Sequence, residues 1–233
     1  MSKTRLIESV QNLDLESTRK LLDANPALLT ATDRRGRNLL HLACSASCSK
    51  LKKPESASAR LVNFLLDRGL DVESPMPDGD RCTALWFAVG RGRNLTLVKL
   101  LIKRGAKPSR APGGGLYAAG WYEDLEILHL LIRAGAIVDV GVDGWTPFLA
   151  CWNWKKFEAA KFLARQGADV NYQDPKTGKT ALHFGVEKEF DPALLKWLVQ
   201  HGASPDIPSR AGVTARLIAS RKRKKTWLAA LAF

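Results

Sequence analysis

Gly178-Lys179-Thr180 ends like a phosphate-binding loop, in which glycine N–H groups wrap the phosphates and a lysine reaches the outer ones. That loop needs another glycine five residues earlier, and the position holds Gln173, so no phosphate cradle is expected. Gly113-Gly114-Gly115 lacks the preceding strand and the G-x-G-x-x-G spacing of a dinucleotide site. His41, Cys44 and Cys48 are soft-metal ligands at short spacing, with Cys82 or Cys151 as a fourth from farther along the chain. Neither H-E-x-x-H, G-x-S-x-G nor C-x-x-C occurs, and the four histidines His41, His129, His183 and His201 form no catalytic constellation.

The chain behind these residues has 233 positions, 45% hydrophobic and 25% charged, with 18 Gly and 11 Pro, a globular composition able to bury a core. Its formal charge of +13 points to an acidic partner: a nucleic acid, an anionic membrane surface or an acidic protein. Five of the basic residues stand together as Arg221, Lys222, Arg223, Lys224 and Lys225, and the rest are spread along the chain. Four cysteines without a disulfide framework suit a reducing compartment, and the cytoplasm is the expected location. The first fifteen residues are interrupted by Glu8, Gln11, Asn12 and Asp14, unlike a secretory signal, and no uncharged apolar run reaches 18 residues, so membrane insertion is not expected.

Two phrases return along the chain. The first is Thr83-Ala84-Leu85-Trp86-Phe87-Ala88, Thr146-Pro147-Phe148-Leu149-Ala150-Cys151 and Thr180-Ala181-Leu182-His183-Phe184-Gly185. The second is an apolar run closing on glycine, as in Leu100-Leu101-Ile102-Lys103-Arg104-Gly105-Ala106, and the closing glycines Gly69, Gly105, Gly135, Gly167 and Gly202 are 36, 30, 32 and 35 residues apart. Threonine before Pro or Ala caps a short first helix, and a second helix ends in a glycine suited to a left-handed C-cap. One such hairpin cannot bury its own apolar face, but stacked neighbours can.

The chain resembles the ankyrin repeat family, whose unit reads approximately D-G-x-T-P-L-H-L-A-A, a turn, then a helix closing L-L-x-x-G-A-D-V-N. Asp143-Gly144-Trp145-Thr146-Pro147 and Gly167-Ala168-Asp169-Val170-Asn171 match within one unit, and Gly36-Arg37-Asn38-Leu39-Leu40-His41-Leu42-Ala43 and Gly178-Lys179-Thr180-Ala181-Leu182-His183 repeat the first phrase. The resemblance implies an all-α ankyrin-repeat solenoid of stacked helix-turn-helix units with capping units at both ends. It is read as a single domain over 1–233: an N-terminal cap at 1–32, five central units at 33–209 with an insertion near 47–56, and a C-terminal cap at 210–233. Helix pairs are predicted near 6–23, 39–68, 84–104, 116–134, 147–166, 181–201 and 215–233. The Ser/Lys-rich insertion with Pro54 reads as a surface loop, and Gly113-Gly114-Gly115 replaces the capping phrase of the third central unit. In this register His41 and Cys44 take a turn-bonding and a packing position, so neither a metal nor any other cofactor is expected.

Register also singles out the aromatics. Trp86 and Tyr117 fall at the first-helix position usually held by His, and Trp121, Tyr122, Asn153 and Trp154 at the two positions after the Ala pair. The resemblance places these on the concave groove, as rigid apolar anchors with Arg91, Arg93, Lys155 and Lys156 in the adjoining turns. Aromatics at helical spacing also serve as core, and Trp152, in the second Ala slot, must either repack the neighbouring unit or spill out. The expected function is a non-catalytic adaptor or inhibitor, monomeric when free, that grips an acidic protein in the groove. The alternative is a nucleic-acid-associated protein using distributed charge, the 221–225 run and the tip residues Arg34, Arg35, Arg37, Arg81, Arg110, Lys176, Lys179 and Arg210.

Overall fold

A computed structural model describes residues 2–77, 82–109, 115–141 and 144–232. The sequence features at Arg81, Arg110, Gly113, Gly114, Asp143 and Phe233 lie outside the described residues. Among the described residues there are fourteen α-helices and no strand, only isolated bridges such as Thr32 with Asn38. The chain divides into two compact units, Met1–Ala119 with Glu126–Ile137, and Gly120–Leu125 with Val138–Phe233.

In the first unit α1 (Ser2–Gln11) and α2 (Leu15–Ala24) form the first helix pair. Next come α3 (Leu39–Ser45) with α4 (Glu55–Asp67), and α5 (Ala84–Phe87), a π-helical turn (Ala88–Gly92) and α6 (Leu95–Lys103). The division runs through the pair α7 (Leu116–Trp121) and α8 (Leu125–Arg133). The second unit holds α9 (Pro147–Asn153) with α10 (Phe157–Arg165), α11 (Ala181–Glu187) with α12 (Pro192–Gln200), and the closing pair α13 (Ala215–Arg221) and α14 (Lys225–Ala230). First helices pack on first helices, α1 on α3 on α5 and α9 on α11 on α13, while α4 packs on α6 and α12 on α14.

Each closing glycine is explained by backbone geometry. Gly105 donates to Ile102 O and Ala106 to Leu101 O, both at 3.0 Å, which satisfies the last carbonyls of α6. Gly69, Gly105, Gly135, Gly167 and Gly202 have φ between +90° and +96°, and an added Cβ would meet nothing within 4 Å. These positions therefore need glycine for its dihedral and not for its size. The alanine that follows is small because it tucks against the helix end: Ala106, Ala136, Ala168 and Ala203 are all buried.

Two first-helix starts are capped by threonine as the sequence predicts, whereas the Thr83 side chain makes no capping bond at the start of α5. The Thr146 hydroxyl accepts the Leu149 N–H at 3.2 Å, and Thr214 that of Leu217 at 3.1 Å. His183 holds the start of α11 in another way: its Nδ1 accepts the Thr180 N–H at 3.1 Å, and its Nε2 bonds the Val213 carbonyl at 2.8 Å. With an obligate donor on one nitrogen and an obligate acceptor on the other, the ring is neutral with its proton on Nε2. His41 makes the same two bonds, from Asn38 N at 3.1 Å and to Ser74 O at 2.9 Å.

The insertion after α3 divides between turn and helix. α4 has 13 residues where α6, α8, α10 and α12 have nine, so part of the extra length is helical. The remainder is not a free loop: Cys48 is buried, and Lys53 Nζ donates to the carbonyls of Asn12 at 2.7 Å and Leu13 at 3.1 Å, tying it to the turn between α1 and α2.

Candidate interaction surfaces

In the second unit, the sequence puts Trp121 and Tyr122 at the end of a first helix and Trp154 just beyond α9. The Trp121 and Trp154 rings meet edge to face with centroids 4.9 Å apart, a favoured aromatic geometry. Lys156 Nζ lies 5.7 Å from the Trp121 ring centroid, within cation–π range. Trp121 remains 47% exposed and Tyr122 42% exposed, and the adjoining Leu125 is exposed as well. Two large rings are thus presented to water while a third braces one of them. Glu123 turns back and accepts the Glu158 N–H at 3.2 Å at the start of α10, so its carboxylate is engaged in capping.

Lys155 leaves this cluster: its Nζ stands 5.7 Å from the Phe190 ring. Lys155 also holds a left-handed backbone, φ 61°, at the turn between first and second helices. Leu13, Arg93, Glu123, Glu189 and Arg223 hold the same conformation at the matching turns, with φ between 47° and 56°. No glycine marks these turns, so the sequence gives no sign of the bend.

Trp152 is core, with 0% exposure. Its ring meets Phe157 at 5.5 Å and Phe190 at 5.9 Å, and its Nε1 donates to the Ala181 carbonyl at 2.8 Å. Gly185 on the next pair makes room for Leu195, since a Cβ there would lie 2.5 Å from Leu195 Cδ2, and it reaches Trp152 Nε1 only at an ordinary contact distance of 3.6 Å. Cys151 beside it is buried, and burial pushes its thiol up to about 12, with the Glu123 charge adding to the shift. Burial raises the Cys44 thiol in the same way, which leaves both protonated and poor nucleophiles.

In the first unit, Trp86 is half-buried and stands edge-on to Phe87 at 5.2 Å. Tyr117 is half-buried on α7. Arg91 and Arg93 are exposed, and Arg91 shares with Trp86 a cavity of about 300 Å³ that also touches Arg35, Arg37, Met76 and Phe87. That cavity is not evident from the repeat register, because Arg35 and Arg37 are 49 or more residues before Trp86. The adjacent tips provide the missing signal: Gly36, φ +75°, lies so close to Pro77 that a Cβ would stand 2.5 Å from Pro77 Cγ.

The basic run at the other end is split in its roles. Lys222 Nζ donates to the carbonyls of Val186 and Glu187 and pairs with Glu189 Oε1 at 3.1 Å. Lys222 and Lys224 also flank the buried Trp227 ring, at 5.5 and 5.4 Å. Arg221, Arg223 and Lys225 are exposed and carry no side-chain hydrogen bond or ion pair among the described residues.

Helix pairs closed by glycine, capped by threonine and bridged by neutral histidine define an all-α repeat scaffold. The family models agree: one for ankyrin repeats in three copies matches residues 116–226 and one for a single ankyrin repeat matches residues 80–111. The chain belongs to the ankyrin repeat family. Among curated relatives it is 29% identical over 209 residues to the nuclear factor NF-kappa-B p105 subunit of Gallus gallus, covering 87% of this chain and 20% of that one. It is 24% identical over 246 residues to an intracellular phospholipase A2 of Caenorhabditis elegans, covering 91% and 23%. It is 26% identical over 142 residues to the protein phosphatase 1 regulatory subunit 12A of Mus musculus, covering 59% and 13%. The chain thus spans less than a quarter of the length of each. Among solved structures, the ankyrin repeat domain of Bcl-3, a member of the IkappaB protein family, superposes with a TM-score of 0.78 at 22% identity, covering 98% of both chains. The domain of human ASB11 gives 0.73 at 20% identity, covering 97% and 95%. The fold is that of a protein-interaction scaffold. Among the described residues no helix is long and apolar enough to cross a membrane.

Proposed function

We propose that this chain is a non-catalytic adaptor or inhibitor that holds an acidic, partly apolar segment of another protein on its groove face, and that it is monomeric when free. The observation that carries the reading is the exposure of Trp121 and Tyr122, 47% and 42%, on a surface stiffened by Trp154 and topped by Lys156. Large aromatics lose little freedom on binding and dominate interface energetics, whereas half-exposed rings contribute only modestly to folding. The excess of basic residues favours an acidic partner and would speed encounter more than it slows release. A relative that is by name a phosphatase regulatory subunit accords with a regulatory role. The cytoplasm is the proposed location, supported by free thiols at Cys44, Cys48, Cys82 and Cys151.

The nucleic-acid reading keeps one specific support, the three unengaged cations Arg221, Arg223 and Lys225. The two readings separate by experiment. Once affinity capture and mass spectrometry give a partner, Trp121→Ala and Tyr122→Ala should each weaken binding by about 1–3 kcal/mol. Replacing Lys155 and Lys156 with Glu should slow association more than it speeds dissociation. Unaltered binding in all of these variants refutes the groove reading, and a steep loss of affinity with salt, set by released counterions, favours nucleic acid.

A further inference from the structure

The cavity at Trp86 lies beside a departure from the repeat. In the pairs beginning at Thr146, Thr180 and Thr214, nine residues separate the capping threonine from the left-handed turn residue, as from Thr146 to Lys155. From Thr83 to Arg93 the separation is ten. The additional residue is absorbed by the π-helical turn Ala88–Gly92, the kind of distortion often found where function constrains a helix. The turn packs closely on the end of α3, since a Cβ on Gly92 would stand 2.5 Å from the Cys44 carbonyl oxygen. Arg91 rides on this turn and lines the cavity.

Across the cavity, the tip before α3 brings Arg35 and Arg37, and its charge balance can be worked out atom by atom. Asp33 Oδ1 accepts the N–H groups of Arg35 and Arg37, both at 2.9 Å. Asp33 Oδ2 accepts Arg37 Nε at 2.9 Å and faces Arg37 Nη2 at 2.8 Å. Burial would raise this carboxyl, but the Arg37 side chain, the two backbone N–H groups and the Arg37 charge outweigh it and hold it below its ordinary value. Asp33 therefore neutralises Arg37 and is fully occupied in doing so. The guanidinium groups of Arg35 and Arg91 carry no hydrogen bond or ion pair among the described residues. Two permanently charged, fork-shaped donors thus border a hollow whose floor is the buried Met76 and Phe87 and whose wall is the half-buried Trp86.

We infer that this cavity is a docking subsite for an acidic peptide segment, taking a carboxylate side chain between Arg35 and Arg91 and a neighbouring apolar side chain against Trp86, Met76 and Phe87. Guanidinium forks match carboxylates in geometry as well as charge. A volume of about 300 Å³ is at the lower limit of ligand pockets and suits one or two side chains rather than a whole small molecule. The subsite belongs to the first unit and does not depend on the Trp121 surface.

The test uses the full chain and a fluorescein-labelled, acetylated peptide of alternating Glu and Leu, read by fluorescence anisotropy. Arg35 and Arg91 are exposed, so the R35A/R91A variant should keep its melting temperature and bind the peptide about tenfold or more weakly. The same peptide with Lys for Glu should not bind, and the Trp86 indole NMR signal, assigned with W86F, should shift only with the acidic peptide. The K3A/K20A variant, which removes two exposed cations that do not line the cavity, should bind the peptide like the parent; an equal loss of affinity there would reduce the effect to net charge and overturn the inference. Unchanged peptide affinity in R35A/R91A overturns the inference. So does a duplex oligonucleotide that binds more tightly than the peptide and is lost in the same variant.

Discussion

Trp152→Ala should be among the most damaging single substitutions in the second unit. The ring is 0% exposed, touches Phe157 and Phe190 at 5.5 and 5.9 Å, and donates to Ala181 O at 2.8 Å. Truncating a buried aromatic to alanine costs about 3–5 kcal/mol in transfer and cavity terms. Losing the Nε1–H bond to the Ala181 carbonyl adds about 1 kcal/mol, so about 4–6 kcal/mol is expected in total. Trp152→Phe keeps most of the apolar volume but loses the N–H, and should cost about 2 kcal/mol. Trp121→Ala is the contrast: its ring is 47% exposed and leaves no closed cavity, so about 1 kcal/mol is expected. Urea unfolding followed by circular dichroism is the suitable assay, because seven tryptophans make fluorescence ambiguous. The slope must be fitted for each variant, since a repeat protein can unfold in parts. If Trp152→Ala costs under about 1.5 kcal/mol, or no more than Trp121→Ala, the assignment of one ring to the core and the other to the surface is wrong.

Deleting residues 227–233 should lower the melting temperature and promote association, because Trp227, Ala230 and Leu231 are buried beside α12 and α13, which the deletion would uncover. A truncated chain that melts like the parent and stays monomeric in light scattering refutes that. Stability should also fall in mild acid through His183. Burial lowers its folded pKa below the ordinary 6.5, more than the Val213 carbonyl and the Glu187 charge raise it. The unfolded chain then takes up the proton first, so this contribution is intact above about pH 6.5 and is lost as pH falls toward the folded value. His183→Gln should flatten the melting temperature between about pH 7 and pH 5, and an unchanged slope would place the titration elsewhere.

Different physical signals made parts of this fold legible and left others hidden. The helix ends were legible because they rest on backbone geometry that few residues satisfy: glycine at Gly105 for its dihedral, threonine at Thr146 for a short hydroxyl beside free N–H groups. The placement of Trp152 was not, because it rests on the rings of Phe157 and Phe190, five and 38 residues later, and on a bond to the Ala181 carbonyl of the next pair. The bends at Arg93, Lys155 and Arg223 were hidden for the opposite reason, since ordinary side chains accept a strained dihedral there under pressure from the packed helices on either side. For the candidate surfaces, register identified Trp121, Tyr122 and Trp154, and the structure joins Trp121 with Trp154 and Lys156. It sends Lys155 toward Phe190 and brings Arg91, on the π-helical turn after Phe87, to the same cavity as Arg35.

Those strained turns offer a way to weigh the basic run. A left-handed backbone costs a residue with a full side chain about 1 kcal/mol, and asparagine bears part of that cost through its local hydrogen bonding. Arg223 sits in that conformation, φ 53°, exposed and with no side-chain partner among the described residues. Arg223→Asn removes a charge without removing a contact, and should therefore raise stability by about 0.5 kcal/mol. If the run serves only to keep the closing pair soluble, binding to a captured partner or to duplex DNA should not change. If the run contacts phosphates, the slope of log affinity against log salt should become shallower by about one unit for the single lost cation. Lys222→Ala is the control: its ammonium ties to the carbonyls of Val186 and Glu187, so it should lower stability whichever way the run is used. A fall in stability for Arg223→Asn would mean that the arginine has a structural role, and the division of the run into anchoring and free cations would fail.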